Sequence, residues 1–272
     1  MSNRLREILD HKRTEIARLN LAAEQARAAD APAPRDFLAA VTRPPEAAPR
    51  LIAELKRASP SRGVLAAHLD LFQIARLYAG NGAAAVSVLT DERFFLGELA
   101  TLRALRFEHA FPRPLLRKDF LLAPVQLYEA RAAGADAILL IVAALEDAAL
   151  QDLHALALAL GLTALVEVHT AAETERALRI PGVRLIGVNN RDLTTFDITL
   201  ETTARLRPLI PAGVTVVSES GLFTAAHVRQ VGALGVDAVL VGEALVTAPD
   251  IAGKVRELAG TGSATEMPRH GA

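Results

Sequence analysis

Seven polar residues interrupt otherwise apolar runs of this chain where a catalyst would need them. Glu54 and Lys56 stand two apart in LIAELK, so an extended chain puts both on one face. Lys118, with Asp119, ends PLLRKD, and Glu167 lies in TALVEV. Asn189, Asn190 and Arg191 follow VRLIGV, and Glu219 with Ser220 ends VTVVSES. Any one of these reads equally well as an ion pair on a rim. Two lysines, three glutamates, an asparagine and an arginine converging on one mouth are harder to dismiss. Opposed charges and partial burial shift one another's pKa values. A Lys acid beside a Glu base implies proton transfer on a bound small molecule.

A second constellation is Ser220-Gly221 and Gly242-Glu243, each at the end of an apolar run. Glycine lets backbone N–H groups approach an anion closely, so the two together suggest a phosphorylated substrate. His169 follows Glu167 by two residues and reads as structural. The other six histidines show no ligand spacing and cysteine is absent, so no metal, disulfide or thiolate chemistry is expected.

These groups need a scaffold that brings eight run-ends together. Apolar runs begin near Leu51, Ala84, Pro114, Asp136, Thr163, Val183, Val214 and Val236, about 20 to 35 residues apart, with helical patterns between them. Three of those helical segments end at Gly134, Gly161 and Gly235. Nearly continuous apolar strands fit a parallel sheet buried on both faces. Eight such units over residues 51–259 predict an α/β protein with a closed (β/α)₈ TIM barrel. An open doubly wound sheet would carry a Gly-rich fingerprint after its first strand, where this chain has Ala58-Ser59-Pro60-Ser61-Arg62-Gly63. Residues 1–50 form an N-terminal helical extension, with Leu5, Ile8, Leu9, Ile16 and Leu19 at helical spacing, expected to cap the barrel bottom or side. Residues 260–272 read as a disordered tail.

The 272 residues carry a net charge of -1, so no nucleic-acid or membrane partner is expected. No apolar stretch approaches the ~18 residues of a membrane span, and the charged N-terminus is unlike a signal peptide. A cytoplasmic protein, monomeric or weakly homo-oligomeric, is the expectation.

IAELKRASPSRG (from Ile52), LRKDF (from Leu116), VEVH (from Val166), GVNNRDL (from Gly187), SESG (from Ser218) and VGEAL (from Val241) occur in the order and spacing of one family. Over roughly residues 50 to 255 the chain resembles indole-3-glycerol phosphate synthase. The resemblance implies a cofactor-free ring closure of 1-(2-carboxyphenylamino)-1-deoxyribulose 5-phosphate to indole-3-glycerol phosphate, carbon dioxide and water. It implies Lys118 as the acid at the C2′ oxygen and Glu167 as base or proton shuttle. Lys56 and Glu54 would support the remaining transfers, with the division between the two lysines left open. Asn189 and Glu219 would orient these groups, and Arg191 would stand near the mouth. Phosphate would sit against Ser220, Gly221, Gly242 and the Glu243 N–H, helped by Lys56 and Ser59. Phe95 and Phe120 would line the slot for the aromatic ring, and Ser59 to Gly63 would act as a lid hinged at Gly63. One departure stands out: Phe94-Phe95-Leu96-Gly97 is followed by Glu98 where the family often has serine. A sugar isomerase, a Schiff-base aldolase or a non-catalytic scaffold on the same barrel are the rival readings.

Overall fold

The computed structural model describes residues 3–59, 63–64, 69–192, 195 and 197–261, with the backbone alone at Asn3, Ser59 and Val64. Eight parallel strands form a closed barrel: β1 (Arg50–Leu55), β2 (Ala85–Leu89), β3 (Leu115–Lys118), β4 (Ala137–Ile141), β5 (Thr163–Val168), β6 (Leu185–Asn189), β7 (Thr215–Glu219) and β8 (Ala238–Val241). Each strand pairs with its sequence neighbours, and β8 returns to β1 through registers such as Ile52↔Leu240. A helix follows every strand, the arrangement that right-handed parallel crossovers require. The expected barrel is therefore what the chain forms.

Burial explains why the strands are apolar throughout. Ile52, Ala85, Leu116, Leu165, Leu185 and Val217 pack against one another inside the barrel. The alternate residues, among them Leu51, Val86, Leu115, Ile138 and Val239, meet the surrounding helices in a larger cluster. With side chains buried on both faces, a strand tolerates a charge only near its ends. Gly134, Gly161 and Gly235 do follow the ends of helices, with φ of 85°, 73° and 87°.

The N-terminal extension consists of α1 (Asn3–Ile16), α2 (Leu21–Asp30) and α3 (Phe37–Val41). Phe37 and Val41 are fully buried with the interior residues Ile52 and Ala85, so α3 closes the bottom of the barrel. The link from α2 to α3 is fixed by buried Asp136, which accepts from the backbone N–H of Arg35 (2.6 Å) and Leu115 (2.7 Å).

The position of α1 corrects the expectation of a helix confined to bottom or side. Lys12 Nζ lies 3.0 Å from Asp91 Oδ2 and 2.9 Å from Asp119 Oδ1, residues that follow β2 and β3 at the mouth. Leu5, Ile8 and Leu9 are buried beneath α1, whereas Ile16 is only half-buried. An amphipathic stripe reports that one face is covered, not what covers it, so Leu5, Ile8 and Leu9 could not distinguish the two ends. Burial opposes charge on Lys12, but Asp119, Asp91 and Glu15 outweigh it and hold the amine firmly protonated. Deleting one member of such a buried cluster strands the others without a partner.

At the other terminus, Gly260 caps the helix Ile251–Ala259 with φ 68°, and the Thr261 hydroxyl donates to Asn81 O at 3.2 Å. The rest of the expected tail, 262–272, lies outside the described residues. Among the described residues, no helix is long and apolar enough to cross a membrane.

Candidate active site

The strand ends open into one cavity of about 1320 Å³, its solvent-filled mouth included. Its floor carries Glu54, Lys118, Glu167, Asn189 and Glu219, with Lys56 just beyond β1. Arg191, Phe95 and Phe120 line it too, as do Ser220, Gly221, Gly242 and Glu243. Ser59 pairs through its backbone with Gly63. Its side chain lies outside the described part, and so does most of the predicted lid.

The charged floor is organised around Lys118. Its Nζ lies 3.4 Å from Glu167 Oε2 and 3.4 Å from Glu219 Oε2. Lys56 Nζ stands 3.4 Å from Glu54 Oε1. Burial alone would favour a neutral Lys118 amine; Glu167, Glu219 and Glu54 overcome it and raise its pKa. Burial also pushes Glu167 upward, but Lys118, His169, Asn189 and Glu219 beside it bring it below the usual carboxylate range. Glu219 goes the other way. Burial and the Glu167 charge outweigh the pull of Lys118, and its pKa is pushed up to about 8. The two neighbouring carboxylates are thus pushed in opposite directions, the separation that acid–base chemistry uses.

Two glycines make room for this floor. A Cβ on Gly187, which pairs with Glu167 in the sheet, would stand 2.2 Å from Glu219 Oε1. A Cβ on Gly242 would stand 2.6 Å from Glu54 Oε1. Gly242 reads from the sequence as part of a phosphate cradle; the structure adds that it admits a carboxylate of the cavity floor. Gly187 was missed, although an isolated glycine inside an apolar strand is a sign of close approach. Ser220 and Gly221 are both left-handed, with φ of 67° and 79°. Asn190 holds this turn by donating to Ser220 O and Ser218 Oγ, both at 3.0 Å.

The aromatic side of the cavity is formed by Phe95 and Phe120, whose ring centroids lie 6.1 Å apart. Phe94 turns away and packs edge-on against His11 of α1. Glu98, the residue that departs from the family pattern, faces Arg57 at 3.6 Å, and the Phe pair is intact beside it. Asp119, noted at the end of β3, is not free to react. Lys12, Arg117, Thr90 and the Phe120 N–H all engage its carboxylate. Arg4, Leu5 and Ile8 of α1 also line the mouth, which sequence reasoning did not anticipate. Among the described residues, no group of three His, Asp or Glu is placed to hold a metal ion.

The family model of indole-3-glycerol phosphate synthase matches residues 5–258. The chain belongs to the indole-3-glycerol phosphate synthase family. It is 57% identical over 270 residues to the indole-3-glycerol phosphate synthase of Roseiflexus castenholzii, covering 96% of this chain and 99% of that one. The enzyme of that name from Dehalococcoides mccartyi strain CBDB1 is 55% identical over 210 residues, 77% of this chain and 81% of the relative. Among solved structures, 3-hexulose-6-phosphate synthase from Salmonella typhimurium superposes with a TM-score of 0.61 at 14% identity, covering 78% of this chain and 97% of that one. That likeness speaks for the fold alone.

For this member of the indole-3-glycerol phosphate synthase family, Gly187 makes a direct test of floor geometry. Gly187→Ala is expected to lower kcat about 10²-fold, because the added methyl displaces Glu219 by the order of an ångström. A purified Gly187→Ala variant with parental kcat and a parental melting curve would show that Glu219 placement does not matter.

Proposed function

We propose that this cavity closes the indole ring of indole-3-glycerol phosphate from 1-(2-carboxyphenylamino)-1-deoxyribulose 5-phosphate, releasing carbon dioxide and water, as a lyase of tryptophan biosynthesis. The observation that carries the reading is the Lys118 amine set 3.4 Å from two buried carboxylates, Glu167 and Glu219, on the floor of the cavity. The loops after β2 and β3 bring Phe95 and Phe120, while those after β7 and β8 bring Ser220, Gly221, Gly242 and Glu243. In a ring of eight strands, β3 lies across from β7. An elongated substrate would span the mouth, with its aromatic ring by the Phe pair and its phosphate at the two glycine turns. Backbone N–H groups at Gly221 and at the start of the short helix Glu243–Val246 suit the phosphate, with the Lys56 ammonium as counter-charge.

In the ring-closing step the aromatic carbon bearing the carboxylate attacks the C2′ carbonyl. Negative charge develops on the C2′ oxygen, and Lys118 donates its proton there. The alkoxide that would otherwise form is a stronger base than an amine, so the transfer is downhill even from a firmly protonated lysine. Carbon dioxide then leaves and restores the aromatic sextet. Dehydration expels the C2′ hydroxyl with a proton from an acid, which Lys56 or neutral Glu219 can supply, while Glu167 removes the proton from C1′. Fixed charges in a partly dry site supply most of such a rate enhancement.

The enzyme is read as cytoplasmic, monomeric or weakly homo-oligomeric, and free of nucleic-acid partners, in keeping with its near-neutral charge. The direct test is to add the carboxyphenylamino-deoxyribulose phosphate and follow indole fluorescence together with carbon dioxide. The chain has no tryptophan, so the background is low. Stoichiometric release of both products is expected. Unchanged substrate under these conditions would sink the assignment.

A further inference from the structure

Behind Glu167, outside the cavity, a buried histidine and a half-buried glutamate form a pair that the chemistry above does not use. His169 follows β5, and its ring is almost enclosed. One Glu173 oxygen, Oε2, accepts from the His169 backbone N–H at 2.7 Å and lies 3.1 Å from its Nδ1. The other ring nitrogen, Nε2, is buried, makes no hydrogen bond within normal distance and faces Glu167 Oε1 at 3.4 Å. The three groups form a line, carboxylate–imidazole–carboxylate, running from the helix Ala171–Leu178 to the cavity floor.

This geometry constrains the proton. If Nδ1–H donates to Glu173, a neutral ring would present a bare Nε2 lone pair to the Glu167 carboxylate, two acceptors face to face. The contact is favourable only with a proton between Nε2 and Oε1. We infer that His169, steered by Glu173, is a positioning residue that holds Glu167 in place and in its base form. The inference rests on Glu167 being the base proposed above. The opposite oxygen, Oε2, is left to Lys118 and the substrate.

The surroundings are consistent with a cationic ring. Burial disfavours imidazolium, but Glu173, Glu167 and Glu219 outweigh it and raise the His169 pKa. The charged and polar groups that face Glu167 are Lys118 on β3, Asn189 on β6 and Glu219 on β7, besides His169 itself. Arg176, further along the helix that carries Glu173, is bound to Asp147 and to the carbonyls of Val142 and Leu145. The distance of 3.4 Å is long for a hydrogen bond, as such contacts often are before substrate tightens a site.

Glu173 also has a structural duty, since its Oε2 receives a backbone N–H at the start of the helix capped by Thr170. Glu173→Gln separates the two roles, because the amide oxygen still accepts that N–H while the charge is gone. His169→Gln keeps a donor near Nε2 but no cation. For each variant, kcat and KM are measured from the lowest pH at which the enzyme stays folded up to about pH 9, with the carboxyphenylamino-deoxyribulose phosphate. Without a stable imidazolium, Glu167 holds its proton more tightly and the acidic limb of kcat moves to higher pH. The expected shift is about one unit; because the base also loses the contact that fixes its position, kcat at neutral pH falls about tenfold while KM stays within about threefold.

A parental pH profile in Glu173→Gln overturns the inference. So does a rise in KM with kcat and limb unmoved. Should His169→Gln fail to fold, Glu173→Gln decides alone. If Glu167→Gln turns over like the parent, the base assignment itself falls. If Glu167→Gln is crippled while both His169 and Glu173 variants behave as the parent, only this inference does.

Discussion

Replacing Lys118 by methionine is expected to lower kcat about 10³- to 10⁴-fold while the protein still folds. Methionine matches the lysine stem, so the space at the end of β3 stays filled and only the cation is lost. Two consequences follow from the 3.4 Å contacts to Glu167 and Glu219. The developing C2′ alkoxide loses its proton donor and its only close positive charge from β3. Glu167, one of whose main stabilising partners is Lys118, also rises in pKa and takes up a proton, so the base of the later step is blunted too. Neutralisation of the carboxylates is what lets the fold survive, since no bare buried anion remains. Carbon dioxide release and indole formation should therefore fall together. A cooperative melting transition and a parental circular dichroism spectrum would place the loss in the chemistry. Turnover within about tenfold of the parent would mean that another group supplies the acid.

Much of the floor could be read in the sequence because a barrel strand is apolar on both faces. A lysine at 118 or a glutamate at 167 stands out against such a background, and alternation places Glu54 and Lys56 on one side. Position within a strand then carries directional information. That information ends where the strand does. His169 lies one residue past β5, where the chain turns toward Thr170, and alternation no longer says which way a side chain points. From the sequence it reads as structural, and only the folded chain brings its Nε2 to Glu167. Lys12 illustrates a different loss. Interleaved with Arg13, Asp10 and Glu15, it looks like part of a solvated helix face, yet it is almost fully buried between two aspartates from other loops. Its partners lie about 80 and 110 residues away, too far for any local pattern to reveal. Gly187 could have been noticed as a gap in a strand, but the atom that fills the gap belongs to the next strand.

Glu167→Gln is expected to break the reaction in two rather than stop it at the start. Removing the Glu167 charge removes one cause of the high Glu219 pKa, and Lys118 then draws Glu219 toward ionisation. Lys118 keeps a carboxylate partner 3.4 Å away and remains a cationic acid. Ring closure and loss of carbon dioxide should persist, whereas proton removal from C1′ has lost its base. In a single turnover with excess enzyme, carbon dioxide should appear at close to the parental rate. Indole fluorescence should rise about 10²- to 10³-fold more slowly, the usual span for one general base. The ring-closed alcohol would accumulate between the two events and should be trapped by rapid quench. If carbon dioxide and indole instead slow by the same factor, Glu167 acts before or during bond formation. The division of labour between the β3 lysine and the β5 glutamate would then have to be redrawn.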